Sequence, residues 1–341
     1  MKFSVIVCAY NEENVISKCL DSIKSVNFRI DSFEIIVVND GSTDNTEKNV
    51  LEFISNNKDI NITYINIEHA GLSVARNAGI KHSTHDYVVF IDADALIDSE
   101  LLSQYEITYK NSNVDFSGGR INLLNKNSSI AHFFQKTRFK QIFDSKRYKE
   151  QLIGANMSFK KDLFFEDGGF PDIFISRGDD TFIKNKFMKN YIYSPTPDAI
   201  VYHERPTSFI DCIKIFYIES INGEKLKKII SAPSYFNNIL IVAMSLLFFI
   251  IAGNIFLSYP AIALTLFILY VLKSIVNSFL VIRYDNKENI IIYSLGYSLL
   301  KVIERVIKTY VYYIRIFDKT PTYSRSLNNF SIKKLDRNEA V

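Results

Sequence analysis

Along the first hundred positions, apolar runs too short for helices alternate with longer stretches of helical periodicity, the signature of strands and helices taking turns. Phe3–Val7 predicts a strand. Asn11-Glu12-Glu13 then opens a helix reaching about Ser25, with Asn11 as its N-cap. Phe33–Val38 predicts a second strand, stopped by Asn39-Asp40-Gly41-Ser42, and a helix follows over about 43–56. A short strand at Ile62–Ile67, a helix over Leu72–His82 and a fourth strand at Val88–Ile91 complete the alternation. The pattern predicts an α/β domain with a doubly wound, mostly parallel sheet. No internal repeat and no low-complexity segment interrupts it.

The second half reads differently. Phe209–Ile230 mixes apolar residues with charges, including Lys225, Lys227 and Lys228, and predicts an interfacial helix. Phe236–Leu257 is 22 residues long without a charge, and at about 1.5 Å per residue it spans a hydrocarbon core of about 30 Å. Ser258-Tyr259-Pro260 is a turn, and Ala261–Ile282 is a second run of spanning length. The pair predicts a transmembrane hairpin whose flanking cations, Lys225, Lys227 and Lys228 on one side and Arg283 and Lys287 on the other, share the cytoplasmic face. Lys273, near the middle of the second span, argues against a simple hairpin, since a charge there costs about 3 kcal/mol. In the apolar stretch from Ile290 to Phe317, Lys301, Glu304, Arg305, Lys308 and Arg315 recur along one stripe, which favours an in-plane or bundle-packed helix over a third span. The expected organisation is an α/β domain over 1–208, a linker helix over 209–234, the hairpin over 235–283, an amphipathic or third membrane helix over 284–317 and a polar tail over 318–341.

Composition narrows the class. A formal charge of +3 on 341 residues gives no reason to expect nucleic acid. Cys8, Cys19 and Cys212 are scattered, without a Cys-x-x-Cys pair, and suggest neither disulfides nor zinc. Phe3–Ala9 is too short an apolar run for a signal peptide, so the first domain is expected on the cytoplasmic side of the membrane. Residues 120–150 interleave Arg120, Lys136, Arg138, Lys140, Lys146, Arg147 and Lys149 with aromatics. They read either as a helix with a solvated basic face or as a surface for an anionic acceptor or anionic lipid headgroups.

The chemistry concentrates at strand ends. The fourth strand delivers Asp92 and Asp94 at its C-terminal end, where open α/β sheets hold ligands. Residues i and i+2 of an extended segment point the same way, and two hard oxygen ligands facing one point suit Mg²⁺ or Mn²⁺ bound to a nucleoside diphosphate. A solvated turn is the competing interpretation of Asp-x-Asp. Asp40, followed by Gly41, can accept hydrogen bonds from a base N–H or a ribose hydroxyl, or simply form an Asx-turn. The Arg76 fork suits phosphate, or a surface salt bridge. His203 can be a structural histidine or a Mn²⁺ ligand.

Six motifs occur in order: Asn39-Asp40-Gly41-Ser42-Thr43-Asp44, Gly71 through Gly79, Asp92-Ala93-Asp94, Gly154-Ala155-Asn156, Gly168-Gly169-Phe170-Pro171-Asp172 and Gly178-Asp179-Asp180. Together they resemble the family 2 glycosyltransferases of the GT-A fold over about residues 3–210. The resemblance implies that Ala9, Tyr10 and Glu12 line a nucleotide pocket with Asp40, and that Tyr10 lies against the base. Arg76 would reach the base or diphosphate. Within Asp92-Ala93-Asp94, Asp92 would touch the ribose or metal, Ala93 would border the donor and Asp94 would ligate Mn²⁺ or Mg²⁺, with His203 as an additional metal or diphosphate contact. Such enzymes invert the anomeric centre by direct displacement and need one general base. The resemblance assigns that role to Asp180, with Asp179 beside it contacting the acceptor.

The chain departs from the family's processive synthases, which carry Gln-x-x-Arg-Trp after the base, because it has no tryptophan. Transfer of one sugar, with UDP-sugar the first candidate donor, to a glycan or polyprenyl-linked acceptor is therefore expected, beside membrane lipids. The alternatives are a polyprenyl-phosphate glycosyl synthase, a non-catalytic nucleotide-sugar-binding membrane subunit and a nucleotidyltransferase.

Overall fold

The computed structural model describes residues 1–138, 152–172, 174, 176–230 and Ile307. β1 (Phe3–Ala9), α1 (Ile16–Lys24), β2 (Phe33–Asp40), α2 (Thr46–Asn56), β3 (Ile62–Ile67), α3 (Leu72–His82) and β4 (Tyr87–Asp92) follow the alternation expected from the sequence. These four strands pair in parallel in the order β3-β2-β1-β4. Every residue of β2 is buried, as a strand covered on both faces requires.

One boundary differs. Residues 11–15 form a turn, and α1 begins at Ile16. Asn11 adopts a φ of 57° and its side-chain oxygen accepts from the Thr43 N–H at 2.8 Å, so it fastens the loop after β2 rather than capping α1.

The rest of the sheet adds antiparallel neighbours to this parallel half. The chain continues through β5 (Ala95–Ile97), α4 (Leu101–Asn111), β6 (Phe116–Leu123), α5 (Ser129–Arg138), β7 (Asn156–Lys160), α6 (Asp162–Asp167), α7 (Asp179–Phe187), β8 (Tyr193–His203) and α8 (Phe209–Ile230). The sheet extends beyond β4 as β7-β6-β8-β5. β7 runs antiparallel to both β4 and β6, β6 and β8 are parallel, and β5 runs antiparallel to β8. The sheet is therefore mixed. For β5 the cause is local: Ala93 and Asp94 form a turn directly after β4, so the chain reverses into β5 instead of entering a crossover helix, while β7 takes its antiparallel place through pairings distant in sequence.

Alternation along the strands sorts the core. Val5, Val7, Val37, Val89 and Ile91 pack with Ile16, Leu20, Val50, Leu101 and Tyr105 from helices. Phe90 points to the opposite face, into an aromatic cluster with Phe159, Phe164 and Phe170.

The described residues fall into two compact units. One holds residues 1–127 and 152–205, the other 128–138 and 206–230 with Ile307. In the second, Phe134 stacks on Phe216 at 5.6 Å beside Cys212, joining α5 to α8. The apolar runs 236–257 and 261–282, the segment 290–317 apart from Ile307, the tail from 318 and the basic positions from Lys140 to Lys149 lie outside the described residues. Among the described residues no helix is long and apolar enough to cross a membrane.

Candidate active site

Asp92 ends β4, Asp94 lies in the turn and His203 ends β8. The short β5 brings them together, because its register sets Ala95, next after Asp94, opposite His203. The His203 Nε2 lies 3.2 Å from Asp94 Oδ1 and 3.7 Å from Asp92 Oδ2, and one ligand atom from each residue falls within 4.8 Å of the others. His203 Nδ1 is 2.6 Å from the Glu204 carbonyl, to which it donates, so Nε2 is turned toward the carboxylates. Burial alone would lower the His203 pKa, but hydrogen bonds to Asp92 and Asp94 outweigh it and hold the imidazole at about 9. Desolvation likewise opposes ionisation of Asp92, yet His203 and Arg76 bring it down to about 2. Glu12 is raised to about 7, first by burial and then by Asp94 and Asp92. Two carboxylates and an imidazole converging on one half-exposed point are a donor set that fits Mn²⁺ or Mg²⁺.

On the other side of β1, Tyr10 is 43% exposed and stacks on His69 with ring centroids 4.0 Å apart. Ala9 and Ala93 have their side chains in the core, so what they present at the surface is backbone. Asp40, at the end of β2, is buried and occupied. Its carboxylate accepts from the Ala70 N–H at 2.8 Å and the Gly71 N–H at 3.0 Å, and faces His69 Nδ1 at 2.9 Å. Gly41 follows with a φ of 68°, and a Cβ there would lie 2.7 Å from the His69 nitrogen, so glycine lets the two loops touch.

Arg76, expected to reach the base or diphosphate, faces inward. It is 3% exposed and lies between the rings of Phe90 and Phe170, with its guanidinium carbon 5.7 Å and 5.6 Å from their centroids. Nη1 donates to Asp179, and Nη2 donates to Asp92 at 3.3 Å and to the Gly154 carbonyl at 3.0 Å. Asp179 is 2% exposed and therefore presents no open face to an acceptor. Burial raises its pKa, Arg76 pulls against that and Asp180 adds to it. Asp180 is half-buried, and one of its oxygens accepts from the Gly154 N–H at 3.1 Å and the other from the Thr181 N–H at 2.6 Å. Both acids occupy the first turn of α7, where the helix dipole favours negative charge.

Residues 4–164 match the model of the family described as Glycosyl transferase family 2. Over that segment, just under half of the chain, the protein matches a family 2 glycosyltransferase domain. It is 34% identical over 153 residues to the glycosyltransferase GlyA of Streptococcus pneumoniae, covering 44% of this chain and 21% of that protein. It is 27% identical over 205 residues to a poly(ribitol-phosphate) beta-glucosyltransferase of Bacillus spizizenii, covering 60% of this chain and 32% of the relative. The chain thus spans less than a third of the length of either. Among solved structures, the mannosyltransferase PcManGT from Pyrobaculum calidifontis, in complex with GDP-Man and Mn²⁺, superposes with a TM-score of 0.60 at 20% identity, covering 94% of this chain and 88% of the other, which shows the shared fold.

Within the glycosyltransferase domain, several motif residues serve one another. Asn77 donates to the Phe170 carbonyl at 2.7 Å and accepts from the Phe170 N–H at 2.8 Å, and a Cβ on Gly169 would come 2.3 Å from its oxygen. A Cβ on Gly154 would come 2.8 Å from Arg76 Nη2. Asn156, fully buried, bonds Tyr105, Arg120 and Ala199 and so braces β7. His69 was not among the expected site residues. Its one sequence signal is its position, two residues before Gly71 in the loop that leaves β3.

Proposed function

We propose that the chain is an inverting glycosyltransferase that moves one sugar from a nucleoside-diphosphate donor, UDP-sugar first among them, to a hydroxyl of a glycan or polyprenyl-linked acceptor at the cytoplasmic membrane face. The observation that carries this reading is that one guanidinium, Arg76, touches both Asp92 of the metal-type cluster and Asp179 of the acid pair, which sets a cation site and a base side by side.

In this reading Tyr10 stacks on the base, while the backbone at Ala9 and Ala93 borders the nucleoside. Asp40 shapes the pocket by holding residues 69–71. Asp92, Asp94 and His203 would hold the cation, which when bound supplies positive charge to the departing diphosphate. Asp180 takes the proton of the acceptor hydroxyl as that oxygen bonds to the anomeric carbon and the bond to the diphosphate oxygen breaks. The family relatives support the transferase class. The membrane setting is supported by α8, where Ile210, Ile213 and Tyr217, on one helical face, are all exposed.

Detergent-purified full-length protein, given UDP-, GDP- and dTDP-sugars with Mn²⁺ or Mg²⁺ and a membrane lipid extract, tests the reading. Metal-dependent release of nucleoside diphosphate, lost in Asp94→Asn, is expected. Release of pyrophosphate would indicate a nucleotidyltransferase. Full transfer by Asp180→Asn would favour a phosphate acceptor, which needs no strong base. Metal-dependent nucleotide binding without turnover on any donor would leave a non-catalytic subunit.

A further inference from the structure

Among the described residues Arg76 is an enclosed cation, 3% exposed, whose outermost partner is the part-exposed Asp92. Both terminal nitrogens of its planar fork are engaged. One nitrogen serves Asp179, and the other is shared between Asp92 and the Gly154 carbonyl. Gly154 also turns its own N–H, on the preceding peptide, to Asp180 Oδ2 at 3.1 Å. The backbone of this one residue thus links the guanidinium to the carboxylate of Asp180, while the neighbouring carboxylate, Asp179, is held by the guanidinium directly. The bare edge of Gly154 is a condition of this arrangement, since a Cβ there would meet Nη2 at 2.8 Å, Nη1 at 3.2 Å and the guanidinium carbon at 3.4 Å.

We propose that Arg76 is a positioning residue: from inside the protein it fixes Asp180 through the Gly154 backbone and through Asp179, and registers both against Asp92, instead of binding the donor diphosphate. The inference deepens the reading of Asp180 as general base and rests on it. Geometry favours this role over a diphosphate contact in two ways. The side chain is clamped between Phe90 and Phe170, with Phe170 itself fixed by both ends of the Asn77 amide, so swinging outward would break a packed stack. Leaving Asp179 would also strand a buried carboxylate with Asp180 as its neighbour, a cost that removal of one partner from a buried pair carries in general. α3 thus joins the donor strand to the base, through consecutive residues Arg76 and Asn77.

The test compares wild type, Arg76→Lys, Gly154→Ala and Asp180→Asn as full chains in detergent, each checked for native circular dichroism. Gly154→Ala keeps every charge and moves the fork. It is expected to lower kcat by about tenfold to a hundredfold, the usual cost of misplacing a reacting group by about 1 Å, with donor KM within about threefold of wild type. Arg76→Lys retains the charge without the fork and is expected to show the same split. A donor KM raised about tenfold or more at unchanged kcat, the pattern of lost uniform binding, would overturn the proposal in favour of direct diphosphate contact. Crystal structures of wild type and Gly154→Ala give a readout independent of turnover. Carboxylates of Asp179 and Asp180 that shift with the guanidinium support the proposal, and carboxylates that stay in place overturn it. Asp180→Asn with wild-type kcat would defeat the general-base reading alone, leaving the crystallographic comparison to decide the role of Arg76.

Discussion

The parallel strands carry a carboxylate at each end of the sheet, and the two ends are built on opposite terms. At the N-terminal end Glu34 is 1% exposed and saturated by neutral donors: Ser4 Oγ at 2.5 Å, the Thr84 N–H at 2.7 Å, Thr84 Oγ1 at 2.9 Å and Asn61 Nδ2 at 3.4 Å. At the C-terminal end Asp94 is 40% exposed and Asp92 33%, and what they face is each other, a histidine and, for Asp92, one nitrogen of Arg76 at 3.3 Å. A carboxylate whose lone pairs are met by the protein has done its work in folding. One left half-exposed beside another has lone pairs to give to something else. The acidic residues of this chain sort by hydrogen-bond satisfaction rather than by residue type.

The strongest challenge to that contrast is Asp94→Asn. It should abolish metal-dependent sugar transfer, by about a thousandfold as for other groups acting at a reacting centre, while the thermal unfolding midpoint measured without metal above about pH 9, where His203 has shed its proton, stays at the wild-type value or rises, because one of two crowded carboxylates has been neutralised. A large loss of stability in this variant would mean that the cluster is a structural one like Glu34.

The mirror experiment is Glu34→Ala. Ser4, Thr84 and Asn61 would each lose an acceptor in a buried site, and the expected destabilisation is about 3 kcal/mol. Urea unfolding monitored by circular dichroism gives the number, and turnover per folded molecule should be unchanged. Equal losses of stability and turnover would erase the difference between the two ends.

Where the candidate site gathers was legible in the sequence, because a parallel α/β sheet presents ligands at the carboxyl ends of its strands and the acidic motifs fall there. The first four strands were legible for the same reason: their apolar runs are short, uninterrupted and separated by helical segments. The antiparallel strands of the second half were not, since the direction of β5 depends on where Ala93 and Asp94 turn the chain and that of β7 on pairings distant in sequence, and no periodicity records either. Nor was the inward aim of Arg76. A guanidinium suited to phosphate is equally suited to a buried carboxylate, and the choice is made by Gly154 and Phe170, far away in sequence. Asp40 shows the same limit, for its strand-end position was readable and its partners in the 69–71 loop were not.

A pH series separates the two ends more finely. His203 is raised from an ordinary value of 6.5 to about 9. A group whose folded pKa lies above its unfolded one stabilises fully below the unfolded value and ceases to do so as pH climbs through the folded value. In metal-free protein its contribution, up to about 3 kcal/mol by linkage, should therefore be complete below about pH 6.5 and gone a little above pH 9. Denaturation at several pH values in chelator, compared with His203→Gln, measures it. The variant should lack this slope. Binding of Mn²⁺ should strengthen over the same window, because the imidazole must shed its proton to become a ligand. A slope identical in both proteins would mean that His203 does not pair with the carboxylates.

The smallest effect concerns the aromatic wall. Tyr10 is 43% exposed and stacked on His69, whose Nδ1 is engaged by the saturated Asp40. Here a functional-looking ring leans on a structural carboxylate, so the contrast between met and unmet groups is tested within one loop. If the base stacks on Tyr10, it replaces or extends an aromatic contact the protein already makes, and the net gain is a fraction of the usual 1–3 kcal/mol, about 1 kcal/mol. Tyr10→Leu should then raise donor KM about fivefold at unchanged kcat, with no measurable change in stability because the ring is half in solvent. The same loss for uridine, guanosine and thymidine donors is expected, since stacking reads a π-face and not a hydrogen-bond edge. A loss confined to one base would place a hydrogen-bonding contact there, with His69 the group next to that ring. A fall in kcat without a change in KM would remove Tyr10 from the base pocket altogether and make the Tyr10–His69 stack one more support of the loop that Asp40 holds.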